Sequence, residues 1–175
     1  MKKYTMMILA CAFAITAVLS FNFIRLHKIR RTVSLPITDA KKLPLAPNFK
    51  LQDLSQNTYE LSSNKDKLNV LLVFWTTWCP YCQAELKELN KTYPSFINDG
   101  IELLAIDAGE RLSEVKKYVL RSGFGFKVLL DTDTAVAKAY DVMGVPTYVL
   151  INKSGRIVFK GNRFPKEKYK ELIFE

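Results

Sequence analysis

The sequence of 175 residues has a single histidine, His27, and only three cysteines, Cys11, Cys79 and Cys82. That shortage bears first on metal binding. A structural zinc site asks for four Cys or His ligands, and beyond residue 24 the chain offers only His27, Cys79 and Cys82. No metal is therefore expected. Acidic residues are scarce in one region: between Met1 and Lys42 eight Lys or Arg meet one acid, Asp39, a balance of +7. From Leu43 onward 18 bases meet 16 acids, so the body contributes only +2 to the total of +9. A nucleic-acid-binding domain would carry its excess charge on the folded body, so no nucleic-acid partner is expected. Internal repeats and low-complexity stretches are also lacking. With 49% hydrophobic and 25% charged residues, the chain can build a packed core and is not a disordered segment.

The basic N-terminal segment surrounds an uncharged run, "YTMMILACAFAITAVLSFNFI", from Tyr4 to Ile24. At 1.5 Å per residue a helix of this length reaches about 31 Å, enough for a hydrocarbon core of ~30 Å. Lys2 and Lys3 precede it, and Arg25, Lys28, Arg30 and Arg31 follow. A cleaved signal peptide is the competing reading. The run exceeds a typical signal-peptide core and ends without a small-x-small site, which favours a retained signal anchor. Cys11 follows "ILA", but the apolar stretch before it is short and Leu9 is large for a lipoprotein box, so Cys11 reads as an apolar residue of the membrane helix. The heavier basic flank lies on the C-terminal side, which counted alone would retain the body inside the cell; long domains, however, translocate largely regardless of such flanks. The expected organisation is an anchor over 1–31, an extended tether over 32–45, where "TVSLPITDAKKLPLAP" shows no helical period, and a folded domain over 46–175.

Within the domain, "NFKLQ" and "TYEL" around "DLSQN" predict a β-hairpin. "LNVLLVFW" (68–75), "IELLAID" (101–107) and "FKVLLD" (126–131) are nearly continuous apolar runs, as expected of strands buried on both faces. Between them lie two helical patterns. The first opens at Pro80, a favoured N-terminal place for proline, carries Leu86, Leu89 and Tyr93 on one face, and is expected to stop at Pro94. The second, "RLSEVKKYVLRSG", has Ser113 as its candidate cap and Gly123 as its stop. "TDTAVAKAY" predicts a short helix opened by Thr132 or Asp133. "GVPTYVLIN" and "GRIVFKG" predict two antiparallel strands joined by a turn, and "PKEKYKELIFE" a closing helix. Strands alternating with helices imply βαβ crossovers and a layered α/β sheet.

Cys79 and Cys82 fall where the first buried strand gives way to a helix, in "FWTTWCPYCQAELKEL". Three uses of such a pair compete. A metal knuckle lacks partner ligands. A structural staple over so short a loop removes little entropy from the unfolded chain. A redox dithiol uses every local feature: Cys79 sits just ahead of a helix whose free N–H groups and dipole stabilise a thiolate, lowering its pKa from ~8.5; Cys82 sits one turn in, placed to resolve a mixed disulfide; Pro80 stiffens the loop between them.

"VLLVFWTTWCPYC" resembles the Trp-Cys-x-x-Cys active site of thioredoxin-fold proteins. The segments "APNFKLQDLSQNTYELS", "LLAID" and "VLLDTDTAVAKAYDVMGVPTYVLINKSGRIV" follow in the order of the membrane-anchored TlpA/ResA/CcmG group, and the resemblance runs from about Ala46 to the C-terminal helix. It implies a thioredoxin-like fold, a mixed sheet flanked by helices with an extra N-terminal hairpin, and a thiol:disulfide oxidoreductase whose catalytic pair is Cys79 and Cys82. It further implies that Pro146 is a cis-proline facing that pair. The backbone of Val145 would pair with a substrate strand, and Trp78, Pro80 and Tyr81 would complete the substrate-binding surface. No cofactor beyond the Cys79–Cys82 disulfide is implied. The implied partners are a thiol- or disulfide-containing protein substrate, such as an apocytochrome c, and a membrane electron donor. The implied location is the extracytoplasmic face of a bacterial cytoplasmic membrane. The sequence departs from thioredoxins in one respect: Val73 occupies the place of their buried Asp, and Leu103 that of its lysine partner. Glu85 and Glu110 are the candidate proton acceptors for Cys82, although a solvated surface acid is the plainer identity for each. An oxidant or isomerase on the same fold is an alternative, because the residues between the cysteines do not set the poise. A copper or other metal chaperone is another, though such proteins usually add a distal histidine that the body lacks.

Overall fold

A computed structural model describes residues 43–173. The expected membrane anchor and most of the tether lie outside the described residues, among which no helix is long and apolar enough to cross a membrane. The chain order is β1 (Lys50–Asp53), β2 (Thr58–Glu60), a 3₁₀ turn (Leu61–Asn64), β3 (Asn69–Trp75), α1 (Pro80–Asn98), β4 (Ile101–Ala108), α2 (Leu112–Ser122), β5 (Lys127–Asp131), α3 (Ala135–Ala139), β6 (Thr147–Ile151), β7 (Ile157–Gly161) and α4 (Tyr169–Ile173). The expected hairpin is β1–β2. Leu43 and Leu45 already bond to Arg156, so the packed chain begins slightly before Ala46.

The seven strands form one sheet in the order β2-β1-β5-β4-β3-β6-β7. β3, β4 and β5 are parallel neighbours, whereas β6 runs antiparallel to β3 and β7 antiparallel to β6. All seven residues of β3 are buried, which is why its run has no polar alternation. Alternate residues of the central strands feed two cores. Leu71, Val73 and Trp75 meet α1 and α2 on one face, and Val70, Leu72 and Phe74 meet the β1–β2 hairpin and α3 on the other.

Three local expectations are corrected. Pro94 does not end α1, which continues through it to Asn98. Proline removes one internal hydrogen bond, but the extra turn buries Phe96 against Phe164 and Tyr169, with ring centroids 5.9 and 5.3 Å away. Tertiary packing outweighs the local signal there. Phe96→Ala is accordingly expected to lower stability by ~3–5 kcal/mol in urea unfolding. Ser113 does not cap α2; the cap position is Arg111, and Gly123 ends the helix with φ 63°, a left-handed conformation suited to glycine. Neither Thr132 nor Asp133 is the cap residue of α3, which is Thr134. The principal acceptor there comes from the sheet: the carboxylate of Asp131, last in β5, accepts the N–H groups of Val136 and Ala137 at 3.1 and 2.8 Å, and Asp133 takes that of Ala135.

Candidate active site

β3 delivers the chain to the carboxyl edge of the sheet, where residues 76–78 turn into α1. Cys79 is the N-cap of that helix and Pro80 its first residue. Cys79 and Cys82 are joined as a disulfide, with Cα atoms 5.2 Å apart. The N–H of Cys82 points at Cys79 Sγ, 3.1 Å away, so the unpaired donors of the helix end face the outer sulfur. Cys82 is wholly buried and Cys79 is 5% exposed; only the outer sulfur can be reached, through a groove.

That groove, about 600 Å³, runs between the cysteine loop and the segment before β6; Trp78, Cys79, Pro80 and Tyr81 line one side, and Val142, Met143 and Val145 are on the other. The Val145–Pro146 peptide bond is cis, and the Val145 carbonyl oxygen lies 3.9 Å from Cys79 Sγ. Trp78, Tyr81 and Met143 are largely exposed around the sulfur and give the groove an apolar rim. Cys79, Trp78, Pro80, Tyr81 and Val145 line this groove, with Cys82 bonded to Cys79 and Pro146 following Val145.

The two candidate acids occupy different places. Glu85 lies one turn beyond Cys82 on α1, half-exposed; it accepts the Tyr148 hydroxyl at 2.9 Å, and Lys166 pairs with the same oxygen at 3.3 Å. Burial and that carboxylate push the Tyr148 phenol well above its ordinary range. Glu110 instead grips the cysteine loop. One of its oxygens accepts the Thr77 N–H and the other the Thr77 hydroxyl. Gln83, in the first turn of α1, donates its side-chain amide to the Thr77 carbonyl at 2.6 Å. Thr77 is thus held from both sides, two residues ahead of Cys79.

Val73 and Leu103 are both fully buried among apolar neighbours, in the cluster that includes the two cysteines. A buried acid does exist, four residues further along β4. Asp107 is completely buried; its Oδ1 accepts the Glu110 N–H at 3.0 Å, and its Oδ2 has no hydrogen-bond partner among the described residues. Gly109, at φ 97°, makes the turn that brings Glu110 back over Asp107, and a Cβ there would meet Thr134 at 3.1 Å. Burial first, and the Glu110 carboxylate second, push the Asp107 carboxyl up to about 8. Asp107, Thr77 and Gln83 were not legible as site residues. The only signal for Asp107 is an acid near the end of an apolar strand.

A vicinal cysteine pair on the first turn of the helix after β3, faced by a cis-proline loop, defines a thioredoxin-like protein with a disulfide centre. The chain belongs to the AhpC/TSA family, whose profile matches residues 44–160. Among curated relatives it is 42% identical over 113 residues to the thiol-disulfide oxidoreductase ResA of Bacillus subtilis, covering 65% of this chain and 63% of that protein. It is 38% identical over 112 residues to the ResA of Geobacillus kaustophilus, covering 64% of each. The match thus spans just under two thirds of the length of these two relatives. Among solved structures, the thioredoxin domain of a thiol-disulfide oxidoreductase from Bacteroides vulgatus superposes with a TM-score of 0.66 at 26% identity, over 74% of this chain and 96% of that one. The group that the sequence resembles is the one to which these relatives point.

Proposed function

We propose that the protein is a thiol:disulfide oxidoreductase acting through Cys79 and Cys82. The observation that carries this reading is the disulfide itself: one sulfur buried in the core, the other opening beneath Val145 into an apolar-rimmed groove. In the reductive direction the Cys79 thiolate attacks one sulfur of a substrate disulfide. A bond forms between Cys79 and that sulfur, and the other substrate sulfur leaves as a thiolate and takes a proton. Cys82 then gives up its proton and attacks Cys79. The second substrate thiol is released, the substrate has gained two electrons, and the protein holds the Cys79–Cys82 disulfide. A dithiol donor reverses that last oxidation.

Cys82 requires an acceptor for its proton. Glu85 is the better placed of the two candidate acids because residues three apart share a helix face; both are already engaged, Glu85 with Tyr148 and Lys166 and Glu110 with Thr77. Val145 offers its backbone to an extended substrate segment, and Trp78, Pro80, Tyr81 and Pro146 shape the groove that receives it. The finer reading is that residues 1–31 anchor the protein in a bacterial cytoplasmic membrane, with the domain on its outer side. There it reduces disulfides of exported proteins, an apocytochrome c among them, and is re-reduced by a membrane donor. No cofactor other than the disulfide takes part in this scheme. The uncharged run of Tyr4–Ile24 supports the anchor, and the relatives' names, thiol-disulfide oxidoreductase, support the exchange chemistry alone.

Catalysed reduction of insulin disulfides by dithiothreitol tests the chemistry, and the reduction potential of the Cys79–Cys82 couple tests its direction. A potential near −270 mV supports a reductant, and one near −120 mV an oxidant. Stoichiometric Cu(I) binding without dithiol turnover would sink the redox reading. Cys82→Ser is expected to accumulate a mixed disulfide with its substrate, identifiable by mass spectrometry. A membrane-impermeant thiol reagent that fails to label Cys79 in intact cells would overturn the proposed topology.

A further inference from the structure

Asp107 lies at the carboxyl end of β4, with Trp75 of β3 and Leu130 of β5 as its Cα partners. It occupies the face of the sheet shared by Val73 and the cysteines, because alternate residues of β4 (Ile101, Leu103, Ala105) belong to that core. Buried without access to water, it touches the active-site loop through a short chain of contacts: Asp107 Oδ1 to the Glu110 N–H, the Glu110 carboxylate to both donors of Thr77, and Thr77 to the peptide leading to Cys79. This chain works only if the two carboxyls do not both carry charge at close quarters. An isolated buried carboxylate is costly and a second anion beside it more so, so one of the pair keeps a proton.

We propose that Asp107 is a proton-bearing positioning residue of the Cys79 loop: while Asp107 is neutral, the Glu110 carboxylate holds Thr77, and when Asp107 ionises, Glu110 is repelled and the loop loosens. This rests on the redox reading of Cys79 and adds a residue to it. The groups around Asp107 are few. Glu110 follows it in the adjoining turn. Glu114 on α2 adds a further negative charge but is itself paired with Arg111 at 2.6 Å. Tyr118 of α2 packs on Trp75. From β5, Asp131 directs its carboxylate to α3, and from the loop comes Cys79, bonded to Cys82 in the oxidised protein. Burial together with Glu110 places the Asp107 transition at about pH 8.

The chain has two tryptophans, Trp75 and Trp78, and they bracket the Thr76–Thr77 segment, so intrinsic fluorescence reports directly on the loop. The test is a pH titration of the oxidised full chain in detergent, where neither cysteine titrates. The expected result is a fluorescence transition centred near pH 8. Asp107→Asn keeps an acceptor for the Glu110 N–H but has no titratable proton, and the transition is expected to vanish. Glu110→Gln removes the neighbouring charge, and the transition is expected to move to lower pH. A parent protein without such a transition would overturn the proposal, as would a transition that survives in Asp107→Asn. Should Asp107→Asn fail to fold, an unchanged midpoint in Glu110→Gln would be equally fatal. Insulin reduction by the parent, measured alongside, judges the redox reading separately, because the titration uses no turnover.

Discussion

Cys79→Ser is expected to abolish insulin reduction, lowering turnover by on the order of 10³ or more. Serine keeps the size of the side chain and its place as helix cap. Its hydroxyl is not ionised at neutral pH and forms no sulfur–sulfur bond, so the first step of exchange has no nucleophile. The loss should come without collapse of the fold, because the helix start remains capped. Far-ultraviolet circular dichroism and urea unfolding of the reduced parent and the variant should therefore nearly coincide. Cys82→Ser should behave differently. It retains the outer nucleophile and stalls after the first exchange, so the two variants separate attack from resolution. Equal loss without a trapped adduct in Cys82→Ser would argue against Cys79 as the attacking sulfur.

Asp107→Asn is expected to change how stability depends on pH. The Asp107 carboxyl is raised from 3.8 to about 8 in the folded protein. Across that window the folded state holds a proton that the unfolded state has released. Stability therefore falls as pH rises, by up to ~1.4 kcal/mol per pH unit from this group. Below pH 4 both states are protonated and the contribution is constant; above pH 8 both are ionised and the full cost is carried. The carboxyls of Asp53, Asp99 and Glu114 are lowered instead. They act with the opposite sign, losing stability as pH falls through their lowered folded values. Urea unfolding at pH 5, 7 and 9 should show the variant gaining on the parent with each step up to about pH 8, by ~2–4 kcal/mol in all. Parallel curves would mean that Asp107 does not carry the proton.

Strand positions were legible because burial on both faces leaves an unmistakable texture: β3, β4 and β5 coincide closely with the three apolar runs. The cysteine pair and Pro146 were legible because they lie close together in sequence or within a family-ordered motif. What escaped depended on partners distant along the chain. Pro94 is a stop signal judged locally, but Phe96 beyond it has Phe164 and Tyr169 to pack against. Nothing within "TDTAVAKAY" announces that the amides of Val136 and Ala137 are satisfied by an aspartate before it. The positions of the thioredoxin acid and its lysine partner hold Val73 and Leu103, both apolar and both buried. On the cysteine face of the sheet the buried acid among the described residues is Asp107, masked by a strand pattern in which a polar residue near the end is unremarkable. Glu110 was visible as an acid near the site; its engagement with Thr77 required the turn at Gly109.

The capping of α3 by Asp131 sets a limit on how the groove can move. This helix has five residues, too few to persist alone, and the chain passes directly from it through Val142 to Val145. The helix is held by the Asp131 carboxylate at its start and by the packing of Val136, Ala137 and the following Tyr140 against the hairpin face. The wall opposite Cys79 can then open as a local unfolding unit, with β3 and the sulfurs undisturbed. In native-state hydrogen exchange the amides of Val136 and Ala137 should exchange through such partial openings, well before those of β3 report global unfolding.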